Sequence, residues 1–359
     1  MIAILSTLLM SYVFTFFIIR SQRFHRKFTA DSDLNGPQKF HPSEVPRIGG
    51  FAIFFSLLVT IGIKYLQDPL SELNLVTLFA CSTVAFCSGF IEDITKKIGV
   101  KTRFVASLIS GLFVCYFLDI YVSNIYIGWI DYFLNIKIIA IIFSSIMIAG
   151  LINSYNIIDG FNGLASMTAM ITLLAIAYVS YQVNDSILCN YALIMNASIA
   201  GFFIWNYPRG HIFLGDGGAY LIGFWIAALS ILLVARNPQV SPWFACLINI
   251  YPVFETIFSI WRKKFIRKIS PGQPDGAHLH MLIYGRIARW MRIDDPRKSF
   301  LANARTAPFL WILSGTTIIP SILFWRNTLA LQLLTILFCI FYLLAYRSLV
   351  LFKTRKWFS

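Results

Sequence analysis

The sequence predicts an all-α, polytopic integral membrane protein, and three observations carry that prediction. Hydrophobic residues make up 58% of the 359-residue chain, against about 45–50% in soluble domains. Charged residues make up only 13%, where about 25% is usual. Apolar runs of about 19–20 residues, each long enough to cross a hydrocarbon core as a helix, recur along the chain. Mean hydropathy is correspondingly high, at +0.71.

Eleven spans satisfy that length, at approximately 2–19, 48–66, 73–91, 104–122, 134–152, 164–182, 187–205, 218–235, 242–261, 307–325 and 328–346. The segments between them are too short for a second folded unit, so residues 1–359 read as one polytopic domain of about 10–11 helices. The first span has its basic flank (Arg20, Arg23, Arg26, Lys27) after the apolar run and no small-x-small cleavage site. It therefore reads as a retained anchor with its N-terminus outside. The six cysteines lie within apolar spans without a C-x-x-C spacing, which points to neither a disulfide framework nor a zinc site.

Orientation follows from charge. The net charge of +14 could suggest a nucleic-acid binder, but its distribution points to a membrane instead. With eleven spans and the N-terminus outside, 26 of the 30 Lys and Arg residues fall on the cytoplasmic side, as does the C-terminus. That basic face would attract anionic headgroups and phosphorylated substrates.

The unusual polar stretches fall on the same side. They are "HPSEVPRIGG" (41–50), "GFIEDITKKIGVKTRF" (89–104), "NSYNIIDGFNGLASM" (153–167), "NYPRGHIFLGDGGAYLIG" (206–223) and "SPGQPDGAHLHMLIYGR" (270–286). Ionisable groups near membrane depth are costly and tend to line functional cavities. The carboxylates Glu92, Asp93, Asp159 and Asp216 offer hard oxygen ligands, which suit Mg²⁺ or Mn²⁺ rather than zinc. Asn156 could add a neutral oxygen, and Lys96, Lys97, Lys101 and Arg103 could neutralise phosphate charge. Acids, a divalent cation and basic residues suit phosphoryl chemistry, and no G-x-x-x-x-G-K-[ST] loop is present to suggest an ATP-driven route.

Together the motifs "PRIGG", "GFIED", "NSYNIIDGFNGLA", "FLGDGG", "PVFETIFSIWRKK" and "PDGAHLH", in this order over roughly 40–290, resemble those of the polyprenyl-phosphate N-acetylhexosamine-1-phosphate transferases. The resemblance implies that a lipid phosphate attacks the β-phosphorus of a UDP-N-acetylhexosamine, giving polyprenyl-diphosphate-sugar and UMP with Mg²⁺ required. It would begin a cell-envelope glycan such as lipopolysaccharide O-antigen or capsule. Carried onto this sequence, Asp216 looks like the main metal ligand, with Asn156 as its partner. Phe213 matches a ring that stacks on uracil, and Asn162 matches a polar position near the base. Asn153 and Asp159 belong to the stretch that meets the diphosphate and its metal. Glu92 and Asp93 match an acidic pair that orients or deprotonates the lipid phosphate, Arg103 a basic position, and His278 and His280 the histidine motif near diphosphate and sugar. A homodimer is suggested by the resemblance alone.

The chain departs from the family pattern in three places. Glu92-Asp93 stands where most members have Asp-Asp, and Asn162 stands where many have Asp, so residue 162 cannot be a base. H-L-H replaces a three-histidine run, which favours a simple UDP-HexNAc donor.

Plainer readings exist for each group. The asparagines and Asp159 could cap helix ends, Asp216 could be a turn residue, and Glu92-Asp93 could be a solvated helix end. Glu255 reads as structural, paired with Arg262, Lys263 or Lys264. The competing function is a secondary transporter for an anionic metabolite or nucleotide sugar. Such a protein would place its site near the midplane between repeated halves.

Overall fold

A computed structural model of the protein describes residues 1–31, 45–270, 272–273, 276–291 and 299–351. The helices are α1 (Ile2–Arg20), α2 (Gln22–Thr29), α3 (Gly49–Gln67), α4 (Leu73–Thr95), α5 (Val100–Phe117), α6 (Gly128–Leu134), α7 (Lys137–Ile158) and α8 (Leu164–Gln182). They continue with α9 (Ser186–Asn206), α10 (Gly215–Arg236), α11 (Pro242–Ile248), α12 (Ile250–Trp261), α13 (Leu279–Trp290), α14 (Ser299–Leu323) and α15 (Thr328–Val350). The described β-structure is one antiparallel two-residue ladder, Ala30↔Pro46 and Asp31↔Val45.

Ten of these helices are long and apolar enough to span a membrane. The expected span at 242–261 is broken. α11 and the stretch Ile250–Ile266 meet at 70°, and this pair makes an eleventh crossing only if taken as one bent span. The cause is local. Pro252 has no N–H to donate to the Ile248 carbonyl, and its ring disfavours a continuous helix there. Thr172 Oγ1 reaches Ile248 O at 3.5 Å, and Asn249 Nδ2 donates to Ala245 O at 2.9 Å. A break at membrane depth persists only where such neighbours satisfy the freed backbone.

α10 is the axis of the bundle, buried almost continuously from Gly215 to Leu233. Hydrophobic burial contributes little between helices already in lipid, so close backbone approach decides the packing. A Cβ on Gly50 would lie 2.3 Å from the Gly218 backbone, and one on Gly89 would lie 2.6 Å from that of Asp216. These crossings bring the N-terminal ends of α3 and α10 and the C-terminal end of α4 together at one end of the bundle.

Several helices extend beyond their apolar runs at this end. α4 continues to Thr95, α7 to Ile158, and α10 begins at Gly215. Asn153 and Asn156 therefore sit on the last turns of α7 instead of in a loop, and Asp216 sits in the first turn of α10. α1 runs parallel to α9, with Ser11 Oγ donating to Ser198 O at 2.6 Å and Trp205 Nε1 to Tyr12 O at 3.2 Å. Its N-terminus is thus at the opposite end from these polar groups.

Candidate active site

At the end where the polar stretches collect, a cavity of about 390 Å³ opens. Asp216 forms its charged centre. Its Oδ1 accepts from Arg47 at 2.5 Å and from Asn156 Nδ2 at 2.9 Å, and its Oδ2 is paired with Arg103.

The backbone explains why Arg47 arrives there. Phe213 N donates to Pro46 O at 2.8 Å, Gly49 N to Phe213 O at 2.9 Å and Gly50 N to Leu214 O at 2.8 Å. This zips residues 46–50 to the segment entering α10. Gly215 closes the turn at φ 78°, where a side chain would be strained and a Cβ would lie 2.3 Å from the Arg47 carbonyl.

Asp93 is buried behind this centre. Its Oδ1 accepts from Asp216 N at 2.8 Å and its Oδ2 from Gly217 N at 2.9 Å, while Arg47 Nε lies 3.4 Å away. It thereby satisfies two of the orphan amides at the α10 N-terminus. Its neighbour Glu92 accepts from Ile98 N at 2.6 Å and pins the turn that leaves α4. Neither carboxylate of this acidic pair lines the cavity, and the exposed Lys101 does not line it either.

The remaining sequence-derived residues do line it: Arg103, Asn153, Asn156, Asp159, Asn162, Phe213, Asp216, His278 and His280. Asn153 Nδ2 donates to Ala149 O at 2.8 Å, which leaves its amide oxygen available. Asp159 caps the C-terminal end of α7. Burial, opposed by Arg47 and reinforced by Asp216, lifts its carboxyl to about 7. Asn162 donates from its side chain to Pro208 O at 3.2 Å and from its backbone to Asn303 Oδ1 at 2.9 Å.

The opposite wall depends on the broken helix. Past α12 the chain makes a π-helical turn, Arg262–Ile266, and Lys263 Nζ donates to Gln273 O at 2.8 Å. His278 begins α13 and its Nδ1 lies 2.9 Å from Glu255 Oε1. Glu255 is paired with this histidine and with the Tyr342 hydroxyl, not with Arg262, Lys263 or Lys264 as the sequence suggested. Arg262 instead donates to Ala277 O at 2.5 Å and to the Tyr346 hydroxyl at 2.6 Å. His280 stacks in parallel on His278 with centroids 5.3 Å apart. Burial and the neighbouring His278 hold its ring far below the usual imidazole range, at about 3.

The lining residues that sequence reasoning did not single out include Arg47, Asn206, Lys263 and Asn303. Arg47 lay inside a quoted motif, and Lys263 entered only as a possible partner of Glu255. Asn303 lay four residues before the expected start of its span, within reach of no motif.

Two carboxylates (Asp159, Asp216) and the amides of Asn153 and Asn156 form a purely oxygen-donating set on one side of the cavity. Among the described residues no cluster of three or more His, Cys, Asp or Glu is close enough to enclose a metal. The set therefore fits a Mg²⁺-type ion that takes one or two carboxylates and completes its shell from phosphates. The cationic side fits the same anion. Arg103 Nε and His280 Nδ1 are buried donors or acceptors without a partner among the described residues. Buried polar atoms in that condition call for an explanation, and an absent anionic ligand supplies one.

Residues 75–234, from α4 to the end of α10, match the glycosyl transferase family 4 profile. Over that stretch the chain is similar to glycosyl transferase family 4. The chain is 24% identical over 284 residues to the undecaprenyl-phosphate alpha-N-acetylglucosaminyl 1-phosphate transferase of Thermotoga maritima, covering 77% of this chain and 81% of that one. It is 27% identical over 263 residues to the enzyme of the same name from Escherichia coli O157:H7, covering 68% and 67% respectively. It is 29% identical over 258 residues to the phospho-N-acetylmuramoyl-pentapeptide-transferase of Lactococcus lactis, covering 68% and 75%. The family profile includes Asp93, Asp159 and Asp216 but ends before Glu255 and the histidines.

Proposed function

We propose that this multi-pass membrane protein transfers an N-acetylhexosamine-1-phosphate from a UDP-sugar to undecaprenyl phosphate, as the names of its relatives suggest. The observation that carries the reading is the Asp216 centre, where an acid at a helix N-terminus meets Arg47, Arg103 and Asn156 on the floor of a cavity. Helix N-termini and converging guanidinium groups are ready-made phosphate sites.

In the proposed reaction a lipid phosphate oxygen forms a bond to the β-phosphorus of the donor. The bond from that phosphorus to the bridging oxygen breaks, and UMP leaves with the bridging oxygen. Arg47, Arg103 and Lys263 bind the diphosphate and spread its charge, as phosphoryl transfer demands of a protein that mainly aligns its reactants. Phe213 offers its ring, and Asn162 with Asn206 and Asn303 offers amides, to the uracil. Asp216 and Asn156, with Asp159 beside them, would hold Mg²⁺, which when bound neutralises charge on the β-phosphate and the leaving UMP. Asp93 acts here by fixing the α10 N-terminus. The acidic pair therefore contributes through position, and Arg47 reaches both Asp93 and Asp216.

The prenyl chain follows α7 away from the cavity. Leu151 and Met147 of that helix line a second, almost wholly apolar cavity of about 280 Å³, bounded also by α10 and the broken α11–α12 pair. The cytoplasmic membrane, with the active site on its cytoplasmic face, is the placement that the positive-inside distribution supports. A transporter would need its polar site near the midplane, whereas here the charged cavity lies at the helix ends.

The experiment is UMP release by the purified chain supplied with undecaprenyl phosphate, Mg²⁺ and a panel of UDP-N-acetylhexosamines. Release that needs both lipid and metal supports the transferase, and the best donor names the sugar. Absence of release from every donor, with UDP-sugar uptake into proteoliposomes, would replace the reading with transport.

A further inference from the structure

Glu255 lies outside the charged centre, is completely buried and comes from the broken helix α12. A lone carboxylate there would be expensive. Three donors meet it. Its Oε1 accepts from His278 Nδ1 at 2.9 Å and from Leu279 N at 3.3 Å, and its Oε2 accepts from the Tyr342 hydroxyl of α15. One carboxylate thus clasps α12, the start of α13 and α15.

We propose that Glu255 is a positioning residue that commits the Nδ1 proton of His278 to itself, so that Nε2 is the ring atom left for the substrate phosphate in the cavity. The inference rests on the transferase reading. A ring nitrogen that donates to a fixed carboxylate defines the tautomer, so Nδ1 bears the proton and Nε2 is the nitrogen presented to the substrate.

The neighbours agree with this assignment. On α12, Tyr251 is the other titratable group near Glu255. The π-helical turn contributes Arg262, engaged with Ala277 O and Tyr346, and Lys263, engaged with Gln273 O. α15 contributes Tyr342 and Tyr346, the latter donating to Ala277 O at 3.0 Å. His280, stacked on His278, makes no hydrogen bond to a carboxylate among the described residues. Of the two rings, His278 is the one that a carboxylate anchors by a hydrogen bond.

Two readouts on the full-length protein in nanodiscs test the assignment. In the first, ¹⁵N-histidine spectra, assigned through His278→Gln, show a protonated Nδ1 for His278 across pH 6–9, and Glu255→Gln loses that fixed state. In the second, kcat/KM for UMP release falls about 10–100-fold in Glu255→Gln, the scale seen when a carboxylate that orients a functional histidine is lost. Glu255→Asp, which keeps the charged acceptor, recovers part of the lost rate and the fixed Nδ1 proton. An unchanged tautomer in Glu255→Gln would overturn the proposal and leave Glu255 a packing residue. Absence of turnover by the wild-type chain on every donor would overturn the transferase reading instead, and the ¹⁵N spectra would still decide the Glu255–His278 pair.

Discussion

The two walls of the cavity are built in opposite ways. One wall carries Arg103, Asn156, Asp159 and Asp216 at the ends of long transmembrane helices and Arg47 just before another, α3. Its backbones touch through Gly50, Gly89, Gly217 and Gly218. The other carries Lys263, His278 and His280 on a π-helical turn, a loop and a short helix, and Glu255 ties that helix to α12 and α15. On the first wall, position is fixed by backbone contact and tolerates almost no added atom. On the second, position is fixed by side-chain hydrogen bonds and depends on one charge. Cations line the cavity on both walls, so the difference lies in how each is held.

The sharpest way to break the comparison is at the centre of the first wall. Asp216→Ala should reduce UMP release by at least about 10²–10³-fold, the scale seen when a preorganised electrostatic group is removed. The monodisperse gel-filtration profile should be kept, and normal turnover at saturating Mg²⁺ would remove Asp216 from the site.

Asp93→Asn comes next. It removes one of the acceptors serving the amides of Asp216 and Gly217, and an amide left unsatisfied at such a buried site costs about 1–3 kcal/mol. Thermal unfolding in detergent should show a lowered Tm together with reduced activity. Lost activity with an unchanged Tm would return Asp93 to a direct chemical role.

A smaller effect concerns pH. The Asp159 carboxyl is raised to about 7, so it is mostly protonated at pH 6 and mostly ionised at pH 8. The stability tied to this raised group is present below its ordinary carboxylate range and is lost as pH rises through about 7. Cation binding has the opposite sign, because ligands must be deprotonated. The Mg²⁺ concentration giving half-maximal rate should fall from pH 6 to pH 8, and Asp159→Asn should flatten that dependence.

The smallest effect is expected at Glu92→Gln. The Ile98 amide keeps a neutral acceptor, so activity should stay within about threefold of wild type, a change of less than 1 kcal/mol. A hundredfold loss would bring Glu92 back into the cavity.

Much of the first wall was legible in the sequence because its residues punctuate long apolar runs. Asp216 in "FLGDGG" and Asn156 in "NSYNIIDG" stand out against about twenty greasy neighbours on either side. What could not be read was how far each helix extends past its apolar run. That extension moved Asn153 and Asn156 onto α7 and turned Asp93 toward the α10 amides.

The second wall was harder because it is assembled by tertiary contact. The Pro252 break was visible as a residue but not as a 70° bend, since prolines in membrane helices are often absorbed by neighbours. Once the helix bends, Glu255 faces α13 and α15 and not the basic residues that follow it in sequence. Asn303 has no neighbouring motif at all, and only folding carries it to Asn162.

The break at Asn249 also has a consequence for how the chain is made. Its supports, Thr172 and Ser230, lie upstream in α8 and α10, so a ribosome releases them before the broken span emerges. The supports of Glu255 come afterwards, His278 next and Tyr342 some sixty residues later in α15. The charged centre can thus be assembled while synthesis continues, but the histidine wall is complete only when the last described helix has entered the membrane.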